Sequence, residues 1–327
     1  MMLFLNILLL LVGFVALIKG ADFFVDGSSS LAKIFKVPGV IIGLTVVAMG
    51  TSLPELAVST SAALRGSNEI AISNVTGSNI FNILCVLGFC ALIHKVPVNP
   101  SILKRDYPFC ILVSVFVPLA AAFSSITGGH FFTLKMSDNA GIVSRWIGIV
   151  LLVLFISYIL FLIHDARKNP LEEDEETKSL SLAKSLLLII VGVAMIIGGG
   201  QAVVYSAQFI ARTFGMTETL IGLTVVAIGT SLPELVTSIV AARKGEVDLA
   251  VGNVAGSNLF NLLFILGVSS TIHPVAVNAA AVYDLAIMLA VTIVSWIFCL
   301  PKKTLVRWQG LFMILAYAAI TVFAIVR

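Results

Sequence analysis

Two glutamates stand where an apolar chain has least use for charge. Glu55 belongs to the string GTSLPEL at Gly50–Leu56, and Glu234 to an identical string at Gly229–Leu235. Each has hydroxyl residues three and four positions before it, Thr51 and Ser52 in one copy and Thr230 and Ser231 in the other. On a helix such spacings bring side chains to one face. Pro54 and Pro233 have no N–H, so the carbonyls of Gly50 and Gly229, one turn back, lose their helical donors. A second string, GSNxFN, follows at Gly77–Asn82 and Gly256–Asn261. It sets Ser78 four residues before Asn82 and Ser257 four before Asn261. Carboxylates, amides, hydroxyls and freed carbonyls form an oxygen set without His or Cys. Such a set suits Ca²⁺ or Na⁺ rather than zinc or copper.

The elements that must position these groups follow from composition. Of 327 residues, 59% are hydrophobic and only 11% charged, with a mean hydropathy of +1.09. A soluble domain carries about 25% charged residues, so the chain reads as an all-α polytopic membrane protein. Apolar segments long enough to span lie at 3–24, 38–64, 70–93, 107–124, 142–163, 184–211, 218–242, 249–272, 281–300 and 306–326. Tyr107, Trp146, Tyr283 and Trp308 fall near their ends, as interfacial aromatics do. With the N-terminus outside, fifteen of the 20 Lys and Arg fall on the cytoplasmic side, in keeping with the positive-inside rule. The first segment lacks a basic start and a small-x-small cleavage site, so it reads as a span rather than a leader. The partners are therefore the bilayer and small ions. No basic patch points to nucleic acid, and nothing implies a protein partner. The four cysteines, with no CxxC pair, read as packing residues.

The chain repeats itself. Residues 41–89 align without a gap to 220–268, identical at 29 of 49 positions that include the Pro, Glu, Asn and Gly of both motifs. Five spans in each half invert the second copy relative to the first. The expected architecture is two inverted-topology five-helix repeats, 1–164 and 182–327, joined by an acidic cytoplasmic linker, 165–181. Transporters built this way carry their site at the repeat interface near the midplane. The long first span ends near Asp22 and Asp26, read as interfacial, and Asp106 opens the fourth span, where a carboxylate suits the helix dipole.

Gly77, Gly88, Asn74 and Asn79 and their counterparts read as residues of close helix packing. That explanation fails for the glutamates. A charge at a helix centre costs at least about 2.5–3.5 kcal/mol on insertion scales, and the spans that carry the motifs contain no Lys or Arg. Two carboxylates balance one Ca²⁺, and an emptied pair resists closure in a low dielectric. A channel would place its filter on an axis between subunits. A hydrolase would leave the duplicate of its active site unexplained.

These motifs resemble the two α-repeats of the calcium/cation antiporter superfamily, most closely its prokaryotic sodium/calcium exchanger branch. The resemblance implies exchange of Ca²⁺ for Na⁺ by alternating access in a plasma (inner) membrane, with no cofactor and no enzymatic activity. Proton coupling through the same glutamates is the alternative. Carried over by position, the ligands would be Thr51, Ser52, Glu55, Ser78 and Asn82, with Thr230, Ser231, Glu234, Ser257 and Asn261. Backbone carbonyls of Ala48, Thr51, Ala227 and Thr230 would join them. The first and sixth spans would slide past the core, with Gly198–Gly200 as a flexible point. Some relatives carry aspartate at the position of Asn82 or Asn261. Two neutral amides there speak against potassium co-transport.

Overall fold

A computed structural model describes residues 2–66, 68–127, 139–168, 180–216 and 227–326. The start of the seventh expected span, 218–226, and most of the linker lie outside these residues. Helix α1 is Met2–Ile34, α2 Gly39–Thr51, α3 Leu53–Leu64, α4 Ile70–Ile93, α5 Ile102–Ala122, α6 Arg145–Lys168 and α7 Leu182–Thr213. Then come α8 (Ala227–Thr230) and α9 (Leu232–Arg243), α10 (Val247–Ile272) and α11 (Ala279–Cys299), and α12 (Arg307–Val326). Among the described residues, eight helices are long and apolar enough to cross a membrane. A ninth span is counted if α2 and α3, bent by 51°, form one.

The motif-bearing α4 and α10 form the centre. Within the most apolar stretch of each, 78% and 89% of residues are buried, against 17% for α1 and α12. The surrounding helices cross over between the halves of the chain. In α6, Gly148 lies where a Cβ would press on the Gly267 carbonyl of α10 at 2.8 Å, and the Phe155 ring packs tilted against Phe264 with centroids 5.0 Å apart. In α12, Gly310 abuts Gly88 of α4, and Tyr317 meets Phe81 edge-on at 5.3 Å. Two short antiparallel ladders bind the halves at their connections. β1 (Val96–Pro97) pairs with β4 (Thr304–Leu305), and β2 (Asn139–Val143) with β3 (Val275–Asn278).

α1 and α7 form a separate long pair. Gly13, Gly20 and Gly27 recur every seven residues on α1, facing Gly199, Gly192 and Ser185 on α7 in antiparallel register. A Cβ on Gly199 would sit 2.7 Å from the Gly13 carbonyl oxygen, and one on Gly20 2.9 Å from that of Gly192. Small residues at this spacing let two backbones touch, the usual source of helix affinity in lipid. The opposite face of α1 exposes Phe4, Leu8, Leu11 and Val15.

Three expectations change here. α1 runs on past residue 24 to Ile34, because its far end is packed against α7. Gly27 lies against the Ser185 carbonyl, Ser185 Oγ donates to Ser30 Oγ at 2.9 Å, and Leu31 and Ala32 are buried. Lys244 Nζ adds contacts 2.8 Å from Asp26 Oδ1 and 3.3 Å from Asp22 Oδ1. The glycines at 198–200 interrupt nothing, since α7 is helical throughout and Gly199 is part of the seam. Asp106 does not stand at a helix start. It closes a π-helical turn, Ile102–Asp106, where it accepts from Arg105 Nε at 2.7 Å and Tyr158 OH at 2.9 Å.

Candidate ion-binding site

The helix break comes first, because everything else hangs on it. Ser52 (φ −87°, ψ 11°) separates α2 from α3, and Ser231 (φ −94°, ψ 7°) separates α8 from α9. Each stands at an N-cap, with proline in the first turn beyond it. Proline is tolerated in a first turn but not in the middle of a continuous helix, so the break and the motif require each other. Glu55 and Glu234 both fall in the first turn of the new helix, where the positive end of the helix dipole favours a carboxylate.

Neither serine caps its own helix. Instead each reaches the glutamate of the other copy. Ser52 Oγ donates to Glu234 Oε1 at 2.7 Å, and Ser231 Oγ donates to Glu55 Oε1 at 3.1 Å. Ser78 Oγ also donates to Glu55, at 3.3 Å, and lies 3.0 Å from Ser231 Oγ. Thr51, Ser52, Glu55, Asn82, Ser231, Glu234, Ser257 and Asn261 have no solvent exposure and Ser78 only 3%. The four motif segments thus converge on one buried centre, as their residue types suggested.

Several polar atoms of this centre are left without partners. Among the described residues, Glu55 Oε2, Glu234 Oε2, Asn82 Oδ1 and Asn261 Oδ1 are buried without a hydrogen-bond partner. A buried acceptor left unmade costs about 1–3 kcal/mol, more when charged. Four such atoms stand here in equivalent pairs, one carboxylate and one amide oxygen from each copy. Water or a cation would relieve them. Among the described residues no three His, Cys, Asp or Glu side chains cluster, so the charge of the centre is that of two carboxylates.

The other expected ligands divide. Thr51 turns its hydroxyl toward Asn253 Oδ1 (3.1 Å) and the carbonyls of Val47 and Ala48 (3.1 and 3.3 Å). The Ala48 carbonyl also accepts from Ser52 N–H at 3.1 Å. Thr230 is half-buried at the end of α8. Ala227 begins that helix.

Asparagines read only as packing residues belong to the second layer of this centre. Asn74 Nδ2 donates to Ser59 Oγ at 2.8 Å and to the Glu55 carbonyl at 3.1 Å. Its counterpart Asn253 donates to Ser238 Oγ at 2.9 Å. Their recurrence at equivalent places in both copies was the available signal. Asn82 opens a π-helical turn, Asn82–Val86, and Asn261 lies in another, Phe260–Ile265. Such turns concentrate at functional sites because they displace a side chain from the regular helical register.

Known proteins are similar to this chain over nearly its whole length. The family model described as sodium/calcium exchanger protein matches residues 5–164 and 184–326. The putative antiporter CaxA of Alkalimonas amylolytica is 36% identical over 318 residues, 94% of each chain. The sodium/calcium exchanger MaX1 of Methanosarcina acetivorans is 32% identical over 97% of each, and the inner membrane protein YrbG of Escherichia coli is 36% identical over 89% of this chain and 87% of its own. Among solved structures, the sodium-calcium exchanger NCX_Mj soaked with 10 mM Na⁺ and zero Ca²⁺ superposes with a TM-score of 0.80 at 31% identity, covering 97% of this chain and 98% of that one. Such relatives are antiporters rather than enzymes, and a multi-pass membrane protein that moves Ca²⁺ or related cations is what fold and sequence share with them. The chain belongs to the sodium/calcium exchanger family.

Proposed function

We propose that the protein exchanges Ca²⁺ for Na⁺ by alternating access, binding either load between Glu55 and Glu234. The carrying observation is the set of four buried oxygens without partners, two from carboxylates and two from amides, on the same motif segments that carry or flank the crossed Ser52–Glu234 and Ser231–Glu55 bonds. Two negative charges neutralise one Ca²⁺. Na⁺ ions use the same carboxylates and borrow hydroxyl and carbonyl oxygens. Ser52, Ser78, Ser231 and Ser257 complete the inner set, and Thr51 and Thr230 with the carbonyls of Ala48 and Ala227 extend it along the broken helices.

On this reading the chain has ten spans in two inverted repeats, with the N-terminus outside and the linker 165–181 cytoplasmic. The break at Ser231 mirrors that at Ser52. The crossed ladders β1–β4 and β2–β3 support a two-fold relation, because β1 and β3 occupy equivalent places in the two copies.

Exchange of Ca²⁺ for H⁺ is the second reading. Both glutamates are buried without a cationic side chain in the spans that hold them, so protons could discharge them as sodium would. Ca²⁺ uptake into proteoliposomes separates the two. Uptake driven by an outward Na⁺ gradient, and lost in Glu55→Gln and Glu234→Gln, supports Na⁺ coupling. Uptake driven only by an outward H⁺ gradient overturns it.

A further inference from the structure

Asn82 and Asn261 offer a cation their Oδ1 atoms only if their amides face the right way. An amide turned over presents NH₂, which repels a cation, and the two orientations have almost the same shape. Something must choose between them. Asn261 Nδ2 donates to Asn79 Oδ1 at 3.0 Å, and Asn82 Nδ2 donates to Asn258 Oδ1 at 3.2 Å. Each bond crosses from one copy of the repeat to the other. The amide of Asn79 is anchored in turn, because its Nδ2 donates to the backbone carbonyl of Asn258 at 3.2 Å. A backbone carbonyl accepts and cannot donate, so this end of the chain of bonds has one solution. Asn79 Oδ1 must face Asn261, the Asn261 NH₂ must face Asn79, and Asn261 Oδ1 is left without a donor. Asn79 and Asn258 are 1% and 3% exposed, so water does not offer an easy alternative partner.

We propose that Asn79 and Asn258 are positioning residues that hold the amides of Asn261 and Asn82 with oxygen toward the ion. The inference rests on the reading of Asn82 and Asn261 as ion ligands. It assigns the first GSN asparagine of each copy to the ligand amide of the other copy, so neither half can form the site alone. At the anchored end, where Asn79 is fixed by the Asn258 carbonyl, the brace permits only the acceptor face of Asn261.

Aspartate at the ligand position supplies the test, because a carboxylate has oxygen on both sides and cannot be turned the wrong way. The probe is Ca²⁺ alone, bound by the purified full-length protein without Na⁺ and followed by calorimetry. Asn79→Ala should weaken Ca²⁺ binding roughly 10–100-fold, the usual effect of losing a partner that orients a metal ligand. In the Asn261→Asp background the same Asn79→Ala change should cost less than about two-fold, since no orientation remains to be lost. An equal cost in both backgrounds, or none in either, overturns the proposal and leaves Asn79 a packing residue. If Asn79→Ala does not elute as folded protein, Asn258→Ala with and without Asn82→Asp asks the same question from the other copy. The underlying reading has its own failure signature: Asn261→Ala and Asn82→Ala would leave Ca²⁺ binding unchanged.

Discussion

Replacing Glu55 or Glu234 by glutamine isolates charge from geometry. A glutamine Oε1 still accepts from Ser231 or Ser52, whose bonds of 3.1 and 2.7 Å hold the carboxylates now. Only one negative charge is removed. Both side chains have no exposure, so an effective dielectric of about 20 applies. At a separation of about 4 Å a unit pair is then worth about 4 kcal/mol, and Ca²⁺ with a carboxylate about 8 kcal/mol. Part of that is returned because the lost carboxylate no longer has to be buried. Breaking a buried pair costs about 3–5 kcal/mol net, or more than about 100-fold in Ca²⁺ affinity. The Coulomb part scales with ion charge, so Na⁺ should lose about half as much free energy. The fold-loss for Ca²⁺ should therefore be near the square of that for Na⁺, about 100-fold against about 10-fold. Calorimetry with each cation, on each single variant in alkaline buffer, measures both ratios. Equal losses for the two ions would mean that the glutamates hold the fold rather than the ion. A loss in only one variant would refute the equivalence of the two copies.

Other expectations follow from the helices that hold this centre. Pro54→Ala returns an N–H to the chain and lets the Gly50 carbonyl regain its partner, which favours straightening the 51° bend between α2 and α3. Uptake of Ca²⁺ should fall at least about ten-fold while the protein still elutes as a folded species, by comparison with the orientation losses of other catalytic assemblies. Gly199→Ala drives a Cβ to 2.7 Å from the Gly13 carbonyl oxygen and 2.8 Å from Leu17 N. It should cost about 1–3 kcal/mol, read as a lower unfolding temperature in detergent, whereas Gly198→Ala, with nothing within 4 Å of the new Cβ, should not. Lys244→Gln removes the bridge to Asp22 and Asp26, but the lysine and Asp22 are 30% and Asp26 52% exposed. Its effect on thermal stability should stay below about 1 kcal/mol and vanish in high salt.

The parts of the site that were legible in the sequence are those with no apolar excuse. Glu55, Pro54 and Asn82 stand out because lipid-facing chain cannot carry them unaided, and their recurrence at Glu234, Pro233 and Asn261 made the pattern secure. Partnership was not legible. The three-residue spacing of Ser52 and Glu55 suggests that they serve each other on one face, yet Ser52 donates to Glu234. Helical periodicity says which residues share a helix face, but nothing about which helix faces it. The same limit hid Asn79, whose partner lies 182 residues away. The polar end of α1 misled for a related reason. Asp22 and Asp26 look like the end of a span until Lys244 is known to lie beside them. The π-helical turns at Asn82–Val86 and Phe260–Ile265 have no sequence signal in these apolar runs, because they differ from α-helix only in which carbonyl each N–H reaches.

The price of this centre also bears on coupling. Four buried acceptors without donors, two of them on carboxylates, make the ion-free site costly at about 1–3 kcal/mol for each atom or more. While the cleft is open, water can relieve them. Closure without an ion strips that water away and leaves two like charges facing each other across the crossed serine bonds. On the proposed exchange, one Ca²⁺, or Na⁺ ions in its place, would remove both penalties, so that the loaded centre would close where the empty one would not. The rest of the fold suits a motion gated in this way. The glycine seam makes α1 and α7 one stiff pair with backbone in contact at Gly13, Gly20 and Gly27. α4 and α10 are locked by their own asparagines and by the helices crossed over them. The pair and the core meet where Phe24 of α1 packs on Gly50 and Val204 of α7 on Gly229, each glycine opening a broken motif. On the exchange reading, this boundary adjoins the strings that carry Glu55 and Glu234, so ion occupancy and movement there would be coupled through the broken motifs.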